Sequence, residues 1–483
     1  MEHAALLTDL YQLTMAYGYW KTGRADYGAV FHLHFRTAPF GGGYAIAAGL
    51  EPALDWLRDF HFAPDDLAWL AQLSGNDGRP LFDPAFLRDL GELRLTVDID
   101  AVPEGTVVFP HEPLLRVRGS ILQGQLLETA LLCLVNFSTL IATKAARICR
   151  AAGPDPVLEF GLRRAQGFDG GLTASRAAYL GGCAATSNLL AGRRFGIPVK
   201  GTHAHSWVLC FDSELEAFES YADALPNNCV FLVDTYDTLE GVRHAIAAGQ
   251  RLRQHGHELI GIRLDSGDLA WLSIEARKLL DAAGFPNAQV LASNDLDEHT
   301  IASIREQGGQ VALWGVGTRL VTGGDQAALG GVYKLSAIRE PGGPWRRCVK
   351  LSEQAAKSST PGILQVRRYE REGECIGDMI YDVEMGCGEP DAPLLVDPRD
   401  DTRRKRIAAG AQYQDLLAPV FRQGRLVYEQ PVLADVRERT LGQLKRFSVG
   451  IKRFDNPHEY PAGVEPSLHE LRKCLILEAR GFQ

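Results

Sequence analysis

The middle of the chain alternates short apolar runs with amphipathic stretches at a steady period. CVFLVD (229–234), ELIGIRLD (258–265) and AQVLASND (288–295) each end on a carboxylate, and each precedes a stretch with helical spacing of its apolar residues. The closing acids Asp234, Asp265 and Asp295 lie 31 and 30 residues apart, the length of one strand, one helix and their connections in successive parallel βα units. QVALWGVG (310–317) continues the series, and VLEF (157–160) and IPVKGTHA (197–204) are expected to supply earlier strands. These runs are continuously apolar, as in a barrel-like sheet covered on both faces. Elsewhere the pattern is more mixed. Residues 6–20 predict a helix with Thr8 or Asp9 as its cap. AVFHLHFR (29–36) alternates like a strand, and residues 93–120 are strand-rich but broken by Pro103, Gly105, Pro110 and Pro113. One long helix is expected from about 122 to 151. Beyond 336, LGGVYKLSAI and RRCVKLS read as strands, KSSTPGI as a loop, and RERTLGQLKRF as a basic helix.

Chemistry in parallel α/β sheets gathers at the carboxyl ends of the strands. Polar residues fall there repeatedly: Glu159, His203 and His205, Asp234, Asp265, Asn294 and Asp295, Gly315 and Gly317. In GIRLDSGDLA (261–270), Arg263 and Asp265 share a face of the strand. Arg263 suits bidentate binding of a phosphate or carboxylate, and Asp265 suits ribose hydroxyls or Mg²⁺; the alternative is a buried ion pair that only orders the sheet. GVGTRLVTGG (315–324) places close glycines after a strand, where backbone N–H groups can converge on an anion, or where the chain simply needs a flexible connection. Neither a Walker loop nor a GxGxxG fingerprint occurs. GTHAHSW (201–207) holds two histidines in HxH spacing. They suit metal binding, attack of a neutral imidazole on a phosphoryl group, or hydrogen bonding within a core. FHLHF (31–35) has the same spacing and is read as structural. EFGLRRAQG (159–167) sets an aromatic and two arginines after a strand, for stacking on a flat acidic ring or as solvated loop residues.

Composition narrows the class. A chain of 483 residues has room for two or three domains. Hydrophobic and charged contents of 46% and 23% are those of an ordinary globular protein. The net charge of −9 supplies no field for nucleic acid or an acidic membrane surface. Nine scattered cysteines without a CxxC pair point to reduced thiols and a cytoplasmic setting. MEHAALLTDLYQLTM lacks the basic region of a signal peptide. Glu128 and Asn136 interrupt the most apolar helix, which is expected to be buried in protein and not to cross a membrane.

LLTDLYQLTMAYGYW, FHLHFR, EFGLRRAQG, KGTHAHSW, RLDSGDL, ASNDLDE, WGVGTRLVT, LGGVYKL, VKLSE, KSSTPG and NPHEYP follow one another along nearly the whole chain. Together they resemble the nicotinate phosphoribosyltransferase family. The resemblance implies an irregular open α/β barrel with an additional α/β domain built from N-terminal and C-terminal segments. The expected division is 1–150 for the N-terminal domain, 151–335 for the barrel, and 336–483 for a segment completing both. The implied reaction joins nicotinate to phosphoribosyl pyrophosphate, coupled to ATP hydrolysis and requiring Mg²⁺, in a homodimer with shared sites. Residue by residue, the resemblance implies catalytic roles for His205, Arg263 and Asp265, with His205 phosphorylated by ATP. It implies substrate contacts for Tyr11 (from the partner subunit), Phe160, Arg163, His203, Asn294, Gly315, Gly317 and Thr318. Arg36, Lys350 and Lys357 are implied for pyrophosphate or nucleotide. Two departures stand out: Leu364-Gln365 where the family often has KQ, and His203 at a variable position close to where the base is chosen. The nearest rival is a nicotinamide phosphoribosyltransferase, which would favour an acid near the base; His203 after Gly201-Thr202 favours nicotinate. A quinolinate-using relative fits less well in length and motifs. A catalytically dead binding protein on the same fold is disfavoured by the retained His205, Arg263 and Asp265.

Overall fold

The computed structural model describes residues 4–351, 359–388 and 393–482. The chain divides into two compact units, Ile141–Ala327 and Met1–Leu140 with Ala328–Gln483.

The first of these holds the regular βα series. Its sheet has six strands in the order Ala185–Thr186, Val157–Glu159, Leu313–Val316, Gln289–Ala292, Gly261–Leu264, Val230–Leu232. Every neighbouring pair is parallel. Phe231, Ile262, Leu264, Val290 and Trp314 are buried on one face and Leu232 and Leu291 on the other, so both faces of the sheet are covered, as the unbroken apolar runs require. Helices Thr238–Gln254, Leu269–Ala282 and Glu298–Glu306 return the chain between strands. Each begins on an aspartate: Asp237, Asp268 and Asp297 accept hydrogen bonds from backbone N–H groups of the first turn. The loops after these strands therefore each carry two kinds of acid, one that ends the strand and one that starts the helix.

Segment 197–204 does not become the expected strand. It makes one parallel bridge, Thr186 to Val199, and otherwise runs irregularly. Pro198 has no N–H to give a ladder and Gly201 adds no side chain to pack. The sheet stays open, with Ala185–Thr186 and Val230–Leu232 as its outer named strands.

The other unit is built on two large sheets, beside a short pair of strands, Ala45–Ile46 and Val107–Val108. One has seven strands, in which Val332–Arg339 pairs antiparallel with Gly28–His34, and Ala418–Arg422 with Asp98–Ala101. The other has six strands, all from within residues 364–464. C-terminal strands thus complete an N-terminal sheet. The strand beginning at Val332 belongs here, although the sequence reading carried the barrel to 335. The expected long helix is two, Ile121–Leu126 and Glu128–Ala152, separated at Leu127. The second is long and apolar enough to cross a membrane, but its most apolar stretch is 67% buried in the protein. His32 is buried between strands: its ring bonds to the Ser336 hydroxyl through Nδ1 (2.8 Å) and accepts the Leu364 N–H through Nε2 (3.1 Å). FHLHF is structural at this residue, as its alternation suggests.

Candidate active site

A cavity of about 200 Å³ opens at the carboxyl ends of the parallel strands. Phe160, Arg163, Arg263, Asp265, Asn294, Gly315, Gly317 and Thr318 all line it, as do Arg164, Ser293 and Asp295. Phe160 enters directly from the strand Val157–Glu159, and its ring lies over Gly315: a Cβ there would stand 2.8 Å from ring carbon Cδ2. Glycine is what lets this ring lie close to the strand end. Glu159 is not a pocket residue. Its buried carboxylate accepts the Ser175 hydroxyl (2.7 Å), the Thr186 hydroxyl (2.6 Å) and the Gly161 N–H, and so holds the start of the loop. Arg163 and Arg164 lie exposed on the short helical turn that follows.

Arg263 projects from the strand Gly261–Leu264 and donates to Thr202 Oγ1 at 2.6 Å. Burial lowers its pKa, while the nearby Asp265 and Asp234 carboxylates act to hold the charge. Its Nε is buried and has no hydrogen-bond partner among the described residues. A planar acid group is the chemistry that such a guanidinium can still satisfy. Asp265 accepts the Ser293 hydroxyl. The turn that carries it is held by Asp234, whose Oδ2 accepts the Asp265 N–H (3.0 Å) and the Ser266 hydroxyl (2.6 Å). Asn294 has a φ of 125°, a region that favours glycine. Its side-chain oxygen accepts the Asp295 N–H at 2.8 Å, fixing the exposed Asp295 at the cavity edge.

The two histidines of GTHAHSW separate. His203 lies among Phe218, Tyr221 and Phe231, and its Nε2 accepts the Leu232 N–H at 3.2 Å. Burial pushes its pKa down to about 4. A neutral ring clasping the edge strand is its role, and it does not line the cavity; the inference of nicotinate preference from His203 loses its footing. His205 opens a short helix, with a side chain 42% exposed. Its Nδ1 is 3.1 Å from Thr235 Oγ1, and its Nε2 is 3.9 Å from Asp265 Oδ2.

Tyr11, Arg36 and Lys350 belong to the other unit. Tyr11 is half exposed on the helix Leu10–Lys21, and burial with the Glu128 carboxylate nearby raises its phenol pKa. Arg36 lines a second cavity, of about 400 Å³, with His111, Asp397, Arg399, His458 and Glu459. There burial and the cations Arg399, Arg472 and Arg36 push His111 down to about 4. Lys350 is exposed. Lys357 lies outside the described residues.

Among the described residues no group of three or more His, Cys, Asp or Glu side chains gathers as a metal cage, so the HxH pair is not a metal centre of that kind. Mg²⁺ carried on a substrate's phosphates asks for only one or two protein carboxylates, and Asp265 and Asp295 at the cavity wall suit that need. The sequence reading gave Thr235, Thr202 and Ser293 no part in the site, and it placed Asp295 at a strand end without a role in binding or catalysis. For Asp295 the signal was present, since it closes its strand as Asp265 does. The hydroxyl partners carry no such signal.

Comparison with known proteins agrees along nearly the whole chain. The nicotinate phosphoribosyltransferase (NAPRTase) N-terminal domain model matches residues 6–136, the family model residues 157–359, and the C-terminal domain model residues 365–472. The chain is similar to the nicotinate phosphoribosyltransferase of Bacillus subtilis, 43% identical over 95% of this chain and 92% of that protein. It is similar to the Homo sapiens protein of the same name, 37% identical over 97% and 96%. The crystal structure of human nicotinic acid phosphoribosyltransferase superposes with a TM-score of 0.84, at 34% identity, covering 97% of this chain and 99% of that one.

Proposed function

The chain belongs to the nicotinate phosphoribosyltransferase family, and from that premise we propose how its barrel pocket joins nicotinate to phosphoribosyl pyrophosphate in NAD salvage. One observation carries the reading: an aromatic ring, three arginines and two carboxylates from different strand ends line a single small cavity. Phe160 stacks on the pyridine ring, and Arg263, with its unpartnered Nε, takes the carboxylate. Asp265 and Asp295 face the ribose hydroxyls and would hold Mg²⁺, which supplies charge neutralisation on the leaving pyrophosphate. The backbone from Gly315 to Thr318 receives the 5′-phosphate, and Arg163 lies beside it. The pyridine nitrogen forms a bond to C1′ as the bond from C1′ to pyrophosphate breaks, and the leaving group keeps the electron pair. Positive charge develops on the ribose between them, so carboxylates near the sugar and cations near the phosphates both lower the barrier.

ATP coupling through phosphorylation of His205 belongs to the same proposal, as does a homodimer in which Tyr11, Arg36 and Lys350 serve the partner's pocket. The exposure of the Tyr11 ring supports that role. With purified protein, phosphoribosyl pyrophosphate and Mg²⁺, nicotinate is expected to exceed nicotinamide by at least about tenfold in kcat/KM, about 1.4 kcal/mol and within reach of one charge-assisted arginine contact. Equal turnover of both bases would overturn the base assignment. Tyr11→Ala and Asp265→Ala chains, each nearly inactive alone, should recover towards roughly a quarter of wild-type activity when refolded together, since mixed dimers carry one intact site. Heterodimers without recovery would assign Tyr11 to its own subunit.

A further inference from the structure

The irregular segment 197–204 links the two outer strands of the parallel sheet. Near its start, the Lys200 N–H donates to the carbonyl of Thr186 at 3.0 Å, on the strand Ala185–Thr186. Near its end, the His203 ring accepts the Leu232 N–H at 3.2 Å, on the strand Val230–Leu232. Thr202 lies between these two anchors, half-buried, and meets Arg263. Arg263 Nη1 donates to Thr202 Oγ1 at 2.6 Å, and the Thr202 hydroxyl donates to the His203 carbonyl at 3.3 Å. The groups themselves set both directions, since a guanidinium holds donors only and a carbonyl oxygen only accepts. Among the described residues this is the only hydrogen bond of the Arg263 side chain. Asp265 and Asp234 act on its charge from nearby, so they favour the cation while Thr202 fixes its orientation.

With Nη1 held by Thr202, the edge of the guanidinium that carries Nε and Nη2 is left for a ligand, and Nε is buried without a partner. Two parallel donors match the two oxygens of a carboxylate. A carboxamide brings one acceptor, and its NH₂ sets a hydrogen against the second donor. That discrimination holds only while the plane of the guanidinium is fixed, because a freely turning arginine can offer an amide a single donor. We propose that Thr202 is a positioning residue that fixes the plane of Arg263 and so sets the preference for a pyridine bearing a carboxylate over one bearing a carboxamide. The inference rests on the reading of Arg263 as the group that takes the nicotinate carboxylate. It gives the choice of base to the neighbour of His203, whose own ring lies in the packing around Phe218 and Tyr221.

Thr202→Val keeps the branched shape and removes the hydroxyl, Thr202→Ala removes it without an added methyl group, and Thr202→Ser keeps it. Initial rates with phosphoribosyl pyrophosphate, Mg²⁺ and either nicotinate or nicotinamide read the effect. Thr202→Val and Thr202→Ala should lower kcat/KM for nicotinate about tenfold, chiefly through KM, the scale of one hydrogen bond to a charged group. The KM for phosphoribosyl pyrophosphate and the kcat/KM for nicotinamide should stay as in the wild type, so the ratio between the bases falls by the same factor. Thr202→Ser should restore that ratio. A partly unfolded variant lowers both rates alike and leaves the ratio untouched, so loss of fold cannot imitate the expected result. A wild-type ratio in the variants that lack the hydroxyl, or no rescue by serine, would overturn the role of Thr202 and leave the reading of Arg263 standing. A wild-type enzyme that turns over both bases equally would overturn that reading and this inference with it.

Discussion

The chain contains the HxH spacing twice, in FHLHF and in GTHAHSW, and the two pairs end in different conditions. On the strand Gly28–His34, residues two apart project to the same side. His32 and His34 are both held neutral, His32 well below its usual pKa and His34 at about 3. Burial is the first cause in each case. Arg116 adds to it for His32, and His111, Arg36 and Lys334 for His34. In GTHAHSW the chain leaves an irregular stretch and enters a helix at His205, so the two rings part. His203 goes inward and binds a backbone N–H; His205 goes outward with Nε2 unbonded. Identical spacing gives three rings driven neutral and one ring available for chemistry. The decisive difference is the break in the backbone at the end of a sheet, where a side chain can leave the packed layer.

Replacing His205 by Ala tests the contrast most severely. ATP hydrolysis and ATP stimulation should fall at least about 100-fold, the scale of losing a nucleophile, while slow ATP-independent product formation persists. A coupled phosphate-release assay checks this; surviving stimulation would move the acceptor away from GTHAHSW, since His203 has no free nitrogen facing the cavity. The same substitution at His203 should instead cost stability, about 2–4 kcal/mol in urea unfolding, because it leaves a cavity and an unpaired Leu232 N–H. Folded His203→Ala should still become phosphorylated. Acid should act on the neutral histidines most gently. His203 and His111, at about 4, and His34, at about 3, all titrate below the usual 6.5. The unfolded chain therefore binds more protons across this window. Stability is complete above 6.5 and falls as pH drops through about 4, by on the order of 2 kcal/mol for a buried ring. Urea midpoints measured down this range should fall, and His203→Asn should flatten the slope; an unchanged slope would show that His203 titrates normally.

Local pattern determined much of this protein. Asp234, Asp265 and Asp295 mark the strand ends because the βα period and the apolar runs are properties of neighbouring residues. The motifs around Arg263, Phe160 and Gly315 pointed to the cavity because a parallel sheet brings all its strand ends to one side. The tertiary structure decided what has no local signature. Asp268 caps a helix while Asp265, three residues earlier, lines the cavity, since hydrogen-bond partners settle which acid does which. Segment 197–204 forms a clasp and not a strand, because pairing needs a neighbour in register as well as an apolar run. Val332–Arg339 joins Gly28–His34 across some 300 residues of chain, and Thr235 finds His205 from a different strand end. Contacts made at such separations depend on where the backbone is carried, and no short window of residues encodes that path.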